Sequence, residues 1–175
     1  MKVLKFGGSS LANPARFRDV ADISSHYAAD TQVMLVLSAP QGVTNDLVAL
    51  VSAAQQGGDW QAALDSLQAR FEALIIDADP ALPEYERHAL LQAARDQVQV
   101  LADYAKGIAL LQHCPDPVQA RMLGTGEQFS VALMTASLKA RGLDAGALDA
   151  TRLVKSQGDY LNASADIPAT IAAFT

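Results

Sequence analysis

Two short apolar runs near the start of the chain constrain its fold more than any other feature. Each is closed by a turn and followed by a helical stretch. The first is VLKF, followed by GGSSLANP; the second is QVMLVL, followed by SAPQG. Between them, ARFRDVADISSHYAA spaces Phe17, Val20, Ala21 and Ser24 along one helical face. Asn13 suits the cap of that helix and Pro14 its first turn. After the second run, Thr44 and Asn45 open NDLVALVSAAQQ, which stops at Gly57 and Gly58. Strand, helix, strand, helix is the order of an α/β fold, in which helical crossovers join parallel strands. Val33 to Leu37 is apolar enough for a strand buried on both faces. Both loops fall at strand C-terminal ends, where open α/β sheets bind ligands.

The remainder is organised differently. Residues 59–113 hold WQAALDSLQARFEALI and EYERHALLQAARDQVQVLADYAKGIALL, two amphipathic helices separated by DADPALP. With no strand signal, this is a helical excursion from the core of residues 1–58. Residues 114–175 form a third part. VQARMLGTGEQFSVALMTASLKARG is helical with glycines near its beginning, and GLDAGALDA returns toward a strand ending near Asp149. SQGDYLNASAD reads as loop or weak strand, and DIPATIAAFT starts a helix with Asp166 as cap. The absence of a closing signal after Thr175 leads us to expect that the domain continues in a longer protein.

Charge and cysteine content exclude some functions. Thirteen basic residues against 19 acidic ones give a net charge of −6, which disfavours nucleic acid or an anionic membrane as the main partner. The single cysteine, Cys114, cannot form an internal disulfide; a reducing, cytoplasmic setting is expected, and the thiol reads as a small buried hydrophobe. No apolar stretch reaches the roughly 18 residues of a membrane helix.

The opening KFGGSS carries the chemistry. A strand fixes Lys5 at the C-terminal edge of the sheet. Gly7 and Gly8 let a ligand approach the backbone closely, and their N–H groups with those of Ser9 and Ser10 can form an anion-binding concavity. A lysine beside it would stabilise the charge of a moving phosphoryl group. The same residues also read as a strand lysine followed by a glycine turn.

At greater length, VLKFGGSSL resembles the opening signature of the aspartokinases, in the amino-acid kinase superfamily. LSAPQGVTNDLVAL resembles that family's second loop, and LGTGEQFSVALM its Gly-Glu-x-x-Ser segment, in the same order. HCPDP, RGLDAGALDA and DYLNASADI are similar to the kinase end of bifunctional aspartokinase/homoserine dehydrogenases. The resemblance covers nearly the whole chain. It implies a three-layer αβα, carbamate-kinase-like fold with a mainly parallel sheet, of which this is the N-terminal portion.

The resemblance implies ATP-dependent phosphorylation of the L-aspartate side-chain carboxylate to 4-phospho-L-aspartate, the first step toward lysine, threonine and methionine. Lys5 then matches the lysine on the transferring phosphoryl group, and Gly7, Gly8 and Ser9 the phosphate cradle. Ser38 and Thr44 match positions near aspartate, and Glu127 the partner of its α-ammonium. Mg²⁺ is expected to be held mainly through the nucleotide, with no protein metal ligand assigned. A carboxylate nucleophile is already ionised at pH 7, so no catalytic His or Cys is expected. The local readings stay open beside these: Glu127 as a solvated helix residue, Ser38 as a turn residue, Thr44 as a helix cap. Asp149 and Arg152 receive no role.

The family's kinase domain is longer than this chain. Its Thr-Asp-x-Asp-Gly segment, its arginine for the substrate carboxylate and its acidic phosphate organiser do not follow Glu127 here. We therefore expect the chain alone to be inactive, with a homo-oligomer possible. Two rival readings are another superfamily kinase, acting on glutamate, acetylglutamate or carbamate, and a non-catalytic α/β regulatory module.

Overall fold

The computed structural model describes residues 1–173; the last two residues of the DIPATIAAFT segment lie outside the described residues. Strand β1 (Lys2–Phe6) pairs in parallel with β2 (Val33–Leu37), in register from Lys2 opposite Val33 to Phe6 opposite Leu37. Helix α1 (Pro14–Ala28) makes the crossover, preceded by a 3₁₀ turn (Gly8–Leu11). The Asn13 side chain accepts from the Arg16 N–H at 3.0 Å, Pro14 opens the helix, and Phe17, Val20, Ala21 and Ser24 are all buried. The α/β pattern with a parallel pair is thus present as read.

The strands are covered on one face only. Leu4, Phe6, Val33, Leu35 and Leu37 alternate inward, whereas Val3, Lys5, Met34 and Val36 are exposed. This corrects the expectation that β2 is buried on both faces. Its apolar content suits such burial, but no described element packs on the Val3–Met34–Val36 face.

Helices α2 (Val43–Gln55), α3 (Trp60–Ile76) and α4 (Glu84–Leu111) pack on one another, and α5 (Asp116–Leu123) and α6 (Thr125–Ala140) close the core. Gly124 divides the last two, which the sequence suggested as one stretch. Phe71 of α3 stacks on Phe129 of α6 with ring centroids 4.1 Å apart, joining the helical layers. At and just past the C-terminus of α3, two arginines donate to carbonyls of the turning chain. Arg18 donates to Asp77 O and Ala78 O, and Arg87 to the carbonyls of Ile75, Ile76, Asp79 and Leu82. The DADPALP break is therefore tightly held. Within it, buried Asp79 accepts from Arg141 Nε at 2.7 Å and from the Ala81 N–H at 2.9 Å.

The segment after Gly142 departs from expectation. GLDAGALDA forms no strand; Asp149 instead caps a short helix, α7 (Ala150–Leu153), accepting from Thr151 N at 3.0 Å. A strand exists only through a ladder partner, and among the described residues this segment has none. Beyond it, β3 (Ser156–Gln157) and β4 (Ser164–Ala165) make a two-residue antiparallel pair, and Asp166 caps α8 (Ile167–Ala172) as predicted. Among the described residues, no helix is long and apolar enough to cross a membrane.

Candidate functional site

The site is assembled around Ala39, at the C-terminal edge of the parallel pair. Strand β1 ends at Phe6, whose carbonyl accepts from the Ser38 N–H at 3.1 Å. This last rung brings the GGSS and SAPQG loops side by side. The 3₁₀ turn then carries Gly8 against the second loop, where a Cβ would stand 3.0 Å from Ala39 O and 3.5 Å from Gln41 Cα. From the other side, α6 brings Gly126 to the same residue. A Cβ there would stand 2.6 Å from Ala39 Cβ and 2.9 Å from Val43 Cγ1. Two glycines distant in sequence thus clasp one alanine, and the residues beside them follow: Ser9 beside Gly8, Ser38 beside Ala39, Thr44 beside Val43, Glu127 beside Gly126.

Each predicted residue can be placed. Lys5 is exposed near the end of β1 on the uncovered face, opposite Val36 in register. Gly7 precedes the 3₁₀ turn with extended backbone, its carbonyl accepting from the Ser10 N–H at 3.0 Å. Ser9 is exposed and Ser38 half-buried. Thr44 is exposed in the first turn of α2, and it is not the cap. That position belongs to Gly42, with φ +86° and no side-chain capping bond. The left-handed backbone favours glycine there, and a threonine would be strained in it.

Glu127 lies in the first turn of α6, close to the positive end of that helix dipole. It is half-buried, but its Oε2 is shut off from solvent and has no hydrogen-bond partner. Ser130 Oγ, one turn on, is buried and unpartnered in the same way. A buried acceptor without a donor costs about 1–3 kcal/mol, so a native fold that keeps one calls for an explanation.

Other candidates have local explanations. Cys114 is buried, and burial followed by the Asp116 charge pushes its thiol above the ordinary value, which suits packing rather than nucleophilic work. Asp149 takes both the N–H and the hydroxyl of Thr151, and these bonds, with Arg152 at 3.4 Å, hold its carboxyl below the usual value. Its surroundings are those of a helix cap. A groove beside Asn13 and Pro14 contains Arg18 and Arg87, whose guanidiniums are engaged by carbonyls at and just past the end of α3.

Sequence reasoning missed the parts that shape the second loop. Arg70 of α3 donates to Gln41 O at 3.0 Å and pairs with Asp46 at 3.3 Å, holding that loop from below. Nothing in the local sequence around Arg70 announces this, because the contact spans 29 residues. Gly126 carried a signal: it immediately precedes Glu127 in LGTGEQFS, at a place where a helix would prefer almost any other residue.

Comparison with known proteins gives a consistent result. The amino acid kinase family matches residues 1–171. The bifunctional aspartokinase/homoserine dehydrogenase of Buchnera aphidicola is 29% identical over 168 residues, covering 95% of this chain and 21% of the relative. That of Haemophilus influenzae is 31% identical over 170 residues, covering 95% of this chain and 20% of the relative. The chain thus spans about a fifth of the length of these relatives. Among solved structures, Escherichia coli aspartokinase III in complex with aspartate and ADP superposes with a TM-score of 0.83 at 25% identity. That match covers 100% of this chain and 37% of the other. It fixes the α/β fold with its parallel pair as that of the corresponding aspartokinase region.

Proposed function

The chain belongs to the amino acid kinase family, and from that premise we propose that it forms the aspartate side of an aspartate kinase site. The reaction moves the γ-phosphoryl of ATP to the L-aspartate side-chain carboxylate, yielding 4-phospho-L-aspartate and ADP in the cytoplasm. The observation that carries the reading is the convergence on Ala39. Gly8 and Gly126 both pack against that residue, so three segments far apart in sequence meet at one sheet edge.

The residues divide the work by their chemistry. Two anions must meet, so charge has to be offset and geometry fixed. Lys5, on an exposed stem at the strand end, offsets charge on the moving phosphoryl group. The N–H groups of Gly7, Gly8 and Ser9 receive phosphate oxygens. Ser38 and Thr44 offer hydroxyls to aspartate from the facing loop. Glu127 takes the α-ammonium through a charge-assisted hydrogen bond to its carboxylate. The attacking carboxylate is ionised at pH 7 and requires no general base. Mg²⁺, when bound, offsets further phosphate charge. The ion is assigned to the nucleotide.

Calorimetric titration tests the reading. L-Aspartate is expected to bind a complete kinase carrying this chain in preference to L-glutamate. Equal binding of both, or of neither, overturns it.

A further inference from the structure

The orphaned oxygen of Glu127 has a neighbour with the complementary defect. Glu127 Oε2 is an acceptor without a donor; Ser130 Oγ carries a donor proton and has no partner. Both are closed to solvent. They sit at positions i and i+3 of α6, which places their Cβ atoms about 5–6 Å apart on one face of the helix. A glutamate side chain spans that gap with a change of its terminal torsions. No other buried side-chain oxygen or nitrogen among the described residues lacks a partner. The two orphans of the fold are therefore a matched pair, one turn apart, beside the Gly126–Ala39 contact.

We propose that Ser130 is a positioning residue for Glu127. Its hydroxyl donates to Oε2 when an ammonium-bearing ligand is present, leaving the other carboxylate oxygen to receive the ammonium. Ser130 is fully buried, so it acts through Glu127 and does not touch the ligand. The ligand class follows from the chemistry: a small amino acid whose α-ammonium needs an oriented carboxylate. The inference rests on the ammonium role proposed for Glu127. In the empty protein the two groups stay apart, and the fold bears two unsatisfied polar atoms that ligand binding relieves.

Three variants and two ligands test this. Succinate has both carboxylates of aspartate but no ammonium, so the ratio of L-aspartate to succinate affinity reads the ammonium contribution alone. Ser130→Ala should shrink that ratio about tenfold, the range of a hydrogen bond to a charged group. Ser130→Thr, which keeps the hydroxyl, should retain most of it. Glu127→Gln should abolish it. If Glu127→Gln keeps the ratio, the ammonium reading fails and this inference with it. If Glu127→Gln loses the ratio but Ser130→Ala keeps it, only the role of Ser130 fails. A thermal arm needs no ligand. Ser130→Ala removes an unpartnered buried hydroxyl and should raise the Tm of the empty chain. A lowered Tm means that the hydroxyl already has a partner, which overturns the proposal.

Discussion

Gly126 lies so close to Ala39 that a methyl group on the glycine would stand 2.6 Å from the alanine's own Cβ. That contact seats the start of α6, and with it Glu127, against the loop that carries Ser38. Gly126→Ala should cost about 1–3 kcal/mol by overpacking, because Val43 Cγ1 also blocks the way at 2.9 Å. Gly124→Ala is the control: its nearest neighbour would be 3.6 Å away, so stability should hold. Urea midpoints of the two variants give the comparison, and equal midpoints would contradict the close contact.

The two glycines of the first loop should behave differently. A Cβ on Gly8 meets the Ala39 carbonyl at 3.0 Å, and that atom is backbone, so it cannot swing aside. A Cβ on Gly7 meets nothing within 4 Å. Gly8→Ala should therefore lose about 1 kcal/mol of stability and Gly7→Ala less than about half that. Chemical denaturation resolves a difference of this size.

Lys5 is exposed, so its removal should leave the fold alone. Lys5→Ala is expected to change stability by no more than about 0.5 kcal/mol. In a complete kinase carrying this chain, turnover should fall about a hundredfold or more. Aspartyl hydroxamate formation measures it. Turnover within a factor of two of the parent would favour a non-catalytic module.

Arg141 bridges two carboxylates of unequal worth. Asp79 is buried and bonded to it at 2.7 Å, whereas Asp22 is largely exposed at 2.5 Å. Asp79→Ala leaves the half-buried guanidinium short of its partner and frees the Ala81 N–H, at a cost of about 3 kcal/mol. Asp22→Ala should cost well under 1 kcal/mol, since exposed pairs contribute little. Thermal melts of the two variants should differ plainly.

Acid should reveal Glu72. Its carboxyl accepts from Arg95 at 2.9 Å and Gln68 at 3.1 Å, and these bonds hold it below its ordinary value of 4.5. A depressed folded pKa stabilises the fold above the unfolded value, and the gain is lost as pH falls through the folded one. Glu72→Gln should therefore flatten the decline of stability below about pH 4.5. Urea midpoints between pH 3 and 6 follow it; an unchanged slope would show that the Arg95 contact contributes nothing.

The sequence by itself determined what rests on neighbours along the chain. Asn13 and Pro14 fixed the start of α1, apolar content marked β1 and β2 as strands, and Asp166 fixed the start of α8. These are signals within a few residues, and local backbone preference is enough to read them. Tertiary structure decided the rest. Apolar content at Val36 could not say which sheet face would be covered, and GLDAGALDA could not say whether a ladder partner would exist. Residues 8, 39 and 126 were each legible as loop or helix start, but their contact was not. It depends on how closely α6 approaches the β2–α2 loop, and the packing of the whole helical layer sets that distance.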